Sequence, residues 1–107
     1  MEAGDAPRFG EEVRRERVAA RLAEAGASAE SADAAVRAML HASLMGVDSH
    51  GVRLTGHYCR MLAGGRLNRN PQLVVEKSGA GSAMVDGDDG LGHYAAYRAV
   101  EVGMELA

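Results

Sequence analysis

The apolar pattern of this chain changes period once and then changes back, and that switch limits the folds open to it. From Phe9 to Leu62 apolar residues recur at helical spacing, from Leu73 to Asp86 they read as strands, and from Leu91 the helical spacing returns. The expected architecture is α+β: an N-terminal layer of three helices, then a β-hairpin, then a further helix.

The first helix carries Phe9, Val13, Val18, Ala20, Leu22 and Ala25 on one broad stripe that also takes in Arg17, with Glu and Arg elsewhere. Gly26 stands where a helix-terminating residue belongs. Ser28 can cap the second helix, with Glu30 favourably placed against the helix dipole. Its stripe runs Ala32, Ala35, Val36, Met39, Leu40, Ser43 and Leu44, and it ends at Gly46. A third helix follows the Asp48-Ser49-His50 turn, capped by Asp48 or Ser49, with Leu54, Tyr58, Met61 and Leu62 on one face. Gly64-Gly65 closes it, and Asn68-Arg69-Asn70-Pro71 turns the chain. Residues 73–77 and 82–86 are the expected strands, joined by Gly79-Ala80-Gly81. After the turn Gly87-Asp88-Asp89-Gly90, the last helix runs through Leu91, Ala95, Ala99, Val102 and Leu106. Residues 1–8 read as a loose tail and 9–107 as one folded region. The final helix stops in mid-pattern, which suggests that the natural chain continues.

Composition narrows the class. Hydrophobic residues make up 47% of the 107, but there are only three Tyr, one Phe and no Trp. A core of Ala, Val, Leu and Met suits close helix packing better than a β-sandwich. The formal charge of −3, with Arg interleaved among Glu and Asp, lacks the basic face of a nucleic-acid binder. No apolar run approaches the roughly 18 residues of a membrane span, and the N-terminus is too polar for a signal peptide. Cys59 has no internal disulfide partner. A cytoplasmic protein is expected.

Four polar residues crowd into Asp48-Ser49-His50-Gly51-Val52-Arg53, at the junction of two apolar helices. The first turn of a helix projects into the cleft beside it, and its free N–H groups favour anions. A histidine beside a hydroxyl can have its tautomer fixed and can shuttle a proton near neutral pH. Arg53, one turn on, offers two parallel donors to a carboxylate. Tyr58, eight residues after His50, adds a hydroxyl on nearly the same face. Together these would grip a 2-hydroxy or 2-oxo acid at both ends. The bland alternative is that Ser49 and Asp48 are only helix caps and Arg53 a surface residue. A serine hydrolase is disfavoured: adjacent residues do not easily make a nucleophile–base bond, and no G-x-S-x-G elbow is present.

The other polar groups have simpler readings. The spacing of His41, His50, His57 and His93 matches no common zinc pattern, so no metal is expected and structural or solvent-facing roles fit them. Cys59 reads as a buried, inert thiol. Glu11, Glu12, Arg14, Arg15, Glu16 and Arg17 read as a solvated face with i,i+4 pairs, and Asp86, Asp88 and Asp89 as turn residues.

The run His41–Leu54, followed by His57-Tyr58, Gly64-Gly65-Arg66-Leu67-Asn68 and Pro71, resembles the malate/L-lactate dehydrogenase family. That group includes ureidoglycolate and sulfolactate dehydrogenases and is unrelated to the Rossmann-type lactate dehydrogenases. Val85-Asp86-Gly87-Asp88-Asp89-Gly90-Leu91-Gly92-His93 resembles the family's strand–turn–helix entry, and the likeness spans Phe9 to Ala107. The resemblance implies a non-Rossmann, NAD- or NADP-dependent oxidoreductase acting on a small 2-hydroxy/2-oxo acid. It implies Ser49 and His50 as catalytic residues, Arg53 and Tyr58 as substrate-binding residues, and a homodimer. One departure stands out. The family's arginine comes four residues after the histidine, whereas Arg53 comes three after, a displacement of about 100° on a helix. Either Arg53 reaches the pocket by another path or Arg60 or another group takes its role.

The family's cofactor domain and its further histidine are absent from these residues, so the chain alone is expected not to turn over. The Gly87, Gly90 and Gly92 cluster is not a G-x-G-x-x-G cradle. The competing expectation is a non-catalytic helical interaction or dimerisation module left by truncation.

Overall fold

The computed structural model describes residues 6–107 and is α+β. Helices α1 (Ala6–Glu24), α2 (Ala29–Leu44) and α3 (Thr55–Ala63) precede strands β1 (Val74–Gly79) and β2 (Ser82–Asp86), and α4 (Gly92–Leu106) follows. Helix α1 thus begins inside the segment read as a tail; Met1–Asp5, and the side chain of Phe9, lie outside the described residues.

The three N-terminal helices end in the same way. After α1, the Gly26 N–H donates to the Ala23 carbonyl (2.9 Å) and Ala27 N–H to Leu22 (3.0 Å). Gly46 and Val47 repeat this on Ser43 and Ala42, and Gly65 and Arg66 on Leu62 and Met61. This double closure needs a left-handed residue, and Gly26, Gly46 and Gly65 have φ of 100°, 79° and 79°. The glycines picked out by pattern are therefore the terminators. Ser28 caps α2 as expected, its hydroxyl accepting the Ser31 N–H at 3.2 Å.

The core lies where α1, α2 and α3 meet. Val18 and Leu22 of α1, Ala32, Ala35, Val36, Met39 and Leu40 of α2, Leu62 of α3 and Leu91 before α4 form one buried cluster. Removing a Leu or Met side chain from water contributes about 1.5–3 kcal/mol. Small alanines on α2 let its neighbours approach without aromatic filling. Not every stripe residue is buried: Val13 and Leu44 face solvent. On α4, Val102 is buried while Ala99 is exposed.

The hairpin is antiparallel, with Val75 opposite Val85 and Glu76 opposite Met84, and its register shifts between Lys77 and Gly79. Strand β2 keeps the expected bounds; β1 starts one residue later than expected and runs on to Gly79. Asn68 fastens this half to the helices. Its N–H donates to the Asp89 carbonyl (2.9 Å), and its side-chain amide to the Asp88 carbonyl (2.9 Å) and carboxylate (3.0 Å). Arg69 caps the end of α3 through the Leu62 carbonyl (3.0 Å) while its own carbonyl accepts Ser28 N–H (2.7 Å). Asp88 and Asp89 occupy the left-handed region (φ 53° and 57°), which aspartate tolerates better than most residues.

Among the described residues, the charged face of α1 forms no ion pairs. Among the described residues the ion pairs are on α4, where Arg98 lies 3.2 Å from Glu101 and 3.8 Å from Glu105.

Neither Asp48 nor Ser49 caps α3, because the helix starts only at Thr55 and Leu54 precedes it without a side-chain cap. Replacing Ser28 by Ala is therefore expected to lower folding stability by about 1 kcal/mol, while Asp48→Ala changes it by less than about 0.5 kcal/mol. Urea melts of the two variants check this, and equal losses would contradict the assignment of the cap.

Candidate functional site

Between α2 and α3 the chain makes two single 3₁₀ turns, Asp48–His50 and Val52–Leu54, separated by an extended Gly51 (φ −93°, ψ −165°). The sequence predicts one continuous helix start here, and the structure corrects that. Turns this short supply no helix N-terminus for an anion. The helical displacement of about 100° assigned to Arg53 also does not apply, because Gly51 breaks the helical path.

The turn brings Ser49 Oγ within 2.9 Å of His50 Nδ1. Adjacency in sequence, expected to disfavour this bond, is overcome by the tight turn. The bond ties the imidazole to one neighbour through Nδ1 and leaves Nε2 outside it. Ser49, His50 and Arg53 are all exposed. No protein carboxylate lies within ion-pair distance of Arg53 among the described residues. The arrangement therefore offers a hydroxyl-supported imidazole and an uncommitted guanidinium on successive turns. Such groups exchange a proton and hold a carboxylate.

Two further hydroxyls anchor the segment. Ser43 Oγ of α2 accepts the Val52 N–H at 3.0 Å, and the buried Thr55 donates its hydroxyl to the Val52 carbonyl at 2.6 Å. Sequence reading had placed Ser43 only on an apolar stripe. A half-buried hydroxyl there needs a polar partner, and that was the available signal.

Tyr58 has different surroundings from these exposed residues. It is half-buried and lines an apolar cleft of about 420 Å³ with Ala38, Gly92, His93, Ala96, Tyr97 and Val100. Ser49, His50 and Arg53 do not line that cleft. The Tyr58 ring meets His93 edge-on, with centroids 5.0 Å apart and planes at 86°, and lies 5.6 Å from the His57 ring. His93 Nδ1 is buried with no hydrogen-bond partner. Burial pushes the His93 pKa below its ordinary value, and an imidazolium would bury an N–H donor with no acceptor, in the same direction. This contact of Tyr58 with a histidine far along the chain was not legible from spacing.

The remaining polar groups are structural. His41 and His57 are exposed, and Cys59 is half-buried, its thiol donating to the Arg21 carbonyl at 3.4 Å. No group of three or more His, Cys, Asp and Glu is placed to hold a metal among the described residues. None of the described helices is long and apolar enough to cross a membrane.

A nicotinamide dinucleotide does not fit the glycine-rich turn before α4. Asp88 and Asp89 stand at that helix start, with the Asp88 carboxylate engaged by Asn68 and by the Gln72 N–H (2.8 Å). Gly90 is packed against Pro71, where a Cβ would lie 2.5 Å from the ring. Fixed negative charge there opposes a pyrophosphate.

A family profile described as malate/L-lactate dehydrogenase matches residues 10–107. The malate dehydrogenase of Pyrococcus horikoshii is 33% identical over 86 residues, covering 80% of this chain and 24% of that protein. The ureidoglycolate dehydrogenase (NAD(+)) of Escherichia coli is 31% identical over 87 residues, covering 81% of this chain and 24% of its own length. The solved structure of the Pyrococcus horikoshii enzyme superposes with a TM-score of 0.84 at 29% identity, over 91% of this chain and 28% of that one. The chain thus spans about a quarter of the length of the curated relatives it matches.

The histidine at the cleft carries a pH signature. The unfolded chain takes up a proton on residue 93 near the ordinary imidazole value of about 6.5, whereas the folded chain does so only at lower pH. Its contribution to stability is therefore complete above about pH 6.5 and is lost as pH falls below that value. Melts between about pH 5 and 7 are expected to show a smaller acid-side loss in His93→Phe than in the parent. Identical slopes would contradict a buried, neutral His93.

Proposed function

The chain belongs to the malate/L-lactate dehydrogenase family, and on that premise we propose that it supplies the acid-binding and proton-handling side of an NAD(P)-dependent 2-hydroxyacid oxidoreductase. The substrate class is a small 2-hydroxy/2-oxo acid, as the names of the malate and ureidoglycolate relatives suggest. The observation that carries the reading is the 2.9 Å bond between Ser49 Oγ and His50 Nδ1, on a turn that is followed directly by the turn bearing Arg53. In this proposal Ser49 holds the His50 ring, His50 exchanges the proton of the C2 oxygen, and Arg53 binds the carboxylate in two-point fashion. Tyr58 adds a hydroxyl from α3.

A second reading, a helical interaction or dimerisation module, draws on the exposed side chains of Met84, Val100 and Met104. Large exposed apolar side chains of this kind favour association with a protein surface. The homodimer implied by the family resemblance is compatible with both readings. Concentration-dependent sedimentation of a chain with no detectable acid binding would favour the second.

The test is reduction of a panel of small 2-oxo acids by NADH or NADPH in the full-length natural protein, followed by its absorbance. His50→Ala is expected to lower kcat/KM by about 10²–10⁴-fold, and Arg53→Ala to act mainly through KM. Turnover that survives His50→Ala unchanged would overturn the assignment.

A further inference from the structure

Gly51 has no side chain for a reason that its backbone does not supply. Its φ of −93° and ψ of −165° are open to any L-residue. An added Cβ would, however, overlap Ser43 Oγ, while the next atoms, Ser43 Cβ and the Asp48 carbonyl oxygen, would stand at 3.4 and 3.5 Å. Those are ordinary contacts, so a side chain at position 51 can enter only by displacing the Ser43 hydroxyl.

The same hydroxyl accepts the Val52 N–H at 3.0 Å. Both backbone groups of Val52 are thereby taken by side-chain hydroxyls, the carbonyl being bonded to Thr55 Oγ1. Within the preceding turn the hydrogen bonds are local: His50 N–H to the Val47 carbonyl and Gly51 N–H to Asp48, both at 3.1 Å. Among the described hydrogen bonds, the link from Ser43 is the one that ties residues 48–54 directly to α2, the preceding Val47 being held by the Ala42 carbonyl at 2.8 Å. Gly46, left-handed at the end of α2, sets where the segment leaves the helix. Ser43 sets where it returns.

We propose that Ser43 is a positioning residue for the Ser49–His50 pair. Its hydroxyl, fitted against Gly51 and bonded to the next amide, holds the extended break between the two turns. It thereby sets the direction in which His50 and Arg53 are presented, and it acts through Gly51 and Val52 without touching the acid. The consequence for turnover rests on the function proposed above, but the geometry does not.

Three variants of the full chain test this: Ser43→Ala, Gly51→Ala and the double variant. Gly51→Ala is expected to melt well below the parent, because the new Cβ displaces the hydroxyl. In the double variant that Cβ meets the Cβ at position 43 and the Asp48 carbonyl oxygen, both at ordinary contact distance, so its melting temperature is expected to return to that of Ser43→Ala, a strongly non-additive cycle. A Gly51→Ala chain that fails to fold while the double variant folds is the same result in stronger form. A double variant that loses at least the sum of the single losses, or that also fails to fold, overturns the proposal.

The second readout is the ¹⁵N chemical shifts of the His50 ring. Ser43→Ala is expected to move them toward the tautomer mixture of a free imidazole, which a merely structural role for Ser43 would not do. Unchanged shifts overturn the positioning role.

In the active full-length protein, Ser43→Ala is expected to lower kcat/KM on the order of 100-fold, the size of loss that a misplacement of about 1 Å produces. Loss in His50→Ala without loss in Ser43→Ala overturns the positioning role. No loss in either variant overturns the functional reading, while a measured coupling between positions 43 and 51 leaves the positioning geometry standing.

Discussion

Helix α2 is buried around most of its circumference, and the rest of the structure is arranged on it. Its buried residues are Ser31, Ala32, Ala34, Ala35, Val36, Met39 and Leu40, which at about 100° per residue cover well over half of the helical wheel. A helix covered so widely needs neighbours on several sides. Here α1 and α3 share the Leu22, Met39 and Leu62 cluster, and α4 packs on the other side, where Arg37 lies 4.4 Å over the Tyr97 ring. The alanines make this possible, because a backbone can approach Ala34 or Ala35 more closely than a larger side chain. With no Trp and one Phe in the chain, close approach replaces aromatic bulk as the means of filling the interior.

The candidate site inherits its geometry from the same helix. Helix α2 ends at a left-handed Gly46, and its last turns supply Ser43, whose hydroxyl takes the Val52 amide. The segment between carries Ser49 and His50 outward into solvent. A rigid helix therefore holds an exposed polar turn, the usual way in which a scaffold presents reactive groups on a loop. Tyr58 and His93 form a separate, apolar feature between α2, α3 and α4. The resemblance implies Tyr58 as a substrate-binding residue beside His50, and Tyr58 also lines this cleft against His93.

Local chemistry was legible in the sequence and long-range chemistry was not. Gly26, Gly46 and Gly65, the Ser28 cap, the bounds of β2 and the aspartate turn all follow from residues within a few positions of one another. The continuous helix start at Asp48 was wrong because the Val52 amide is claimed by Ser43, nine residues away. Leu44 fits the helical period but is the last residue of α2 and faces water. The acid–base pairs expected on α1 are absent among the described residues, and exposed pairs of that kind contribute little in any case. The edge contact between Tyr58 and His93 joins residues on α3 and α4, a pairing that no periodicity encodes. Family resemblance points to Ser49 and His50, where spacing alone favours a helix cap.

On the function proposed above, the turn bearing Ser49, His50 and Arg53 recognises a small 2-oxo acid. Adding pyruvate to the isotopically labelled chain, and following its amide and histidine-ring NMR signals, tests that most directly. The account predicts saturable shifts at Ser49, His50 and the Arg53 side chain that fit a single affinity and vanish in Arg53→Ala. Shifts centred instead on the His93 cleft, or none that saturate, would contradict it.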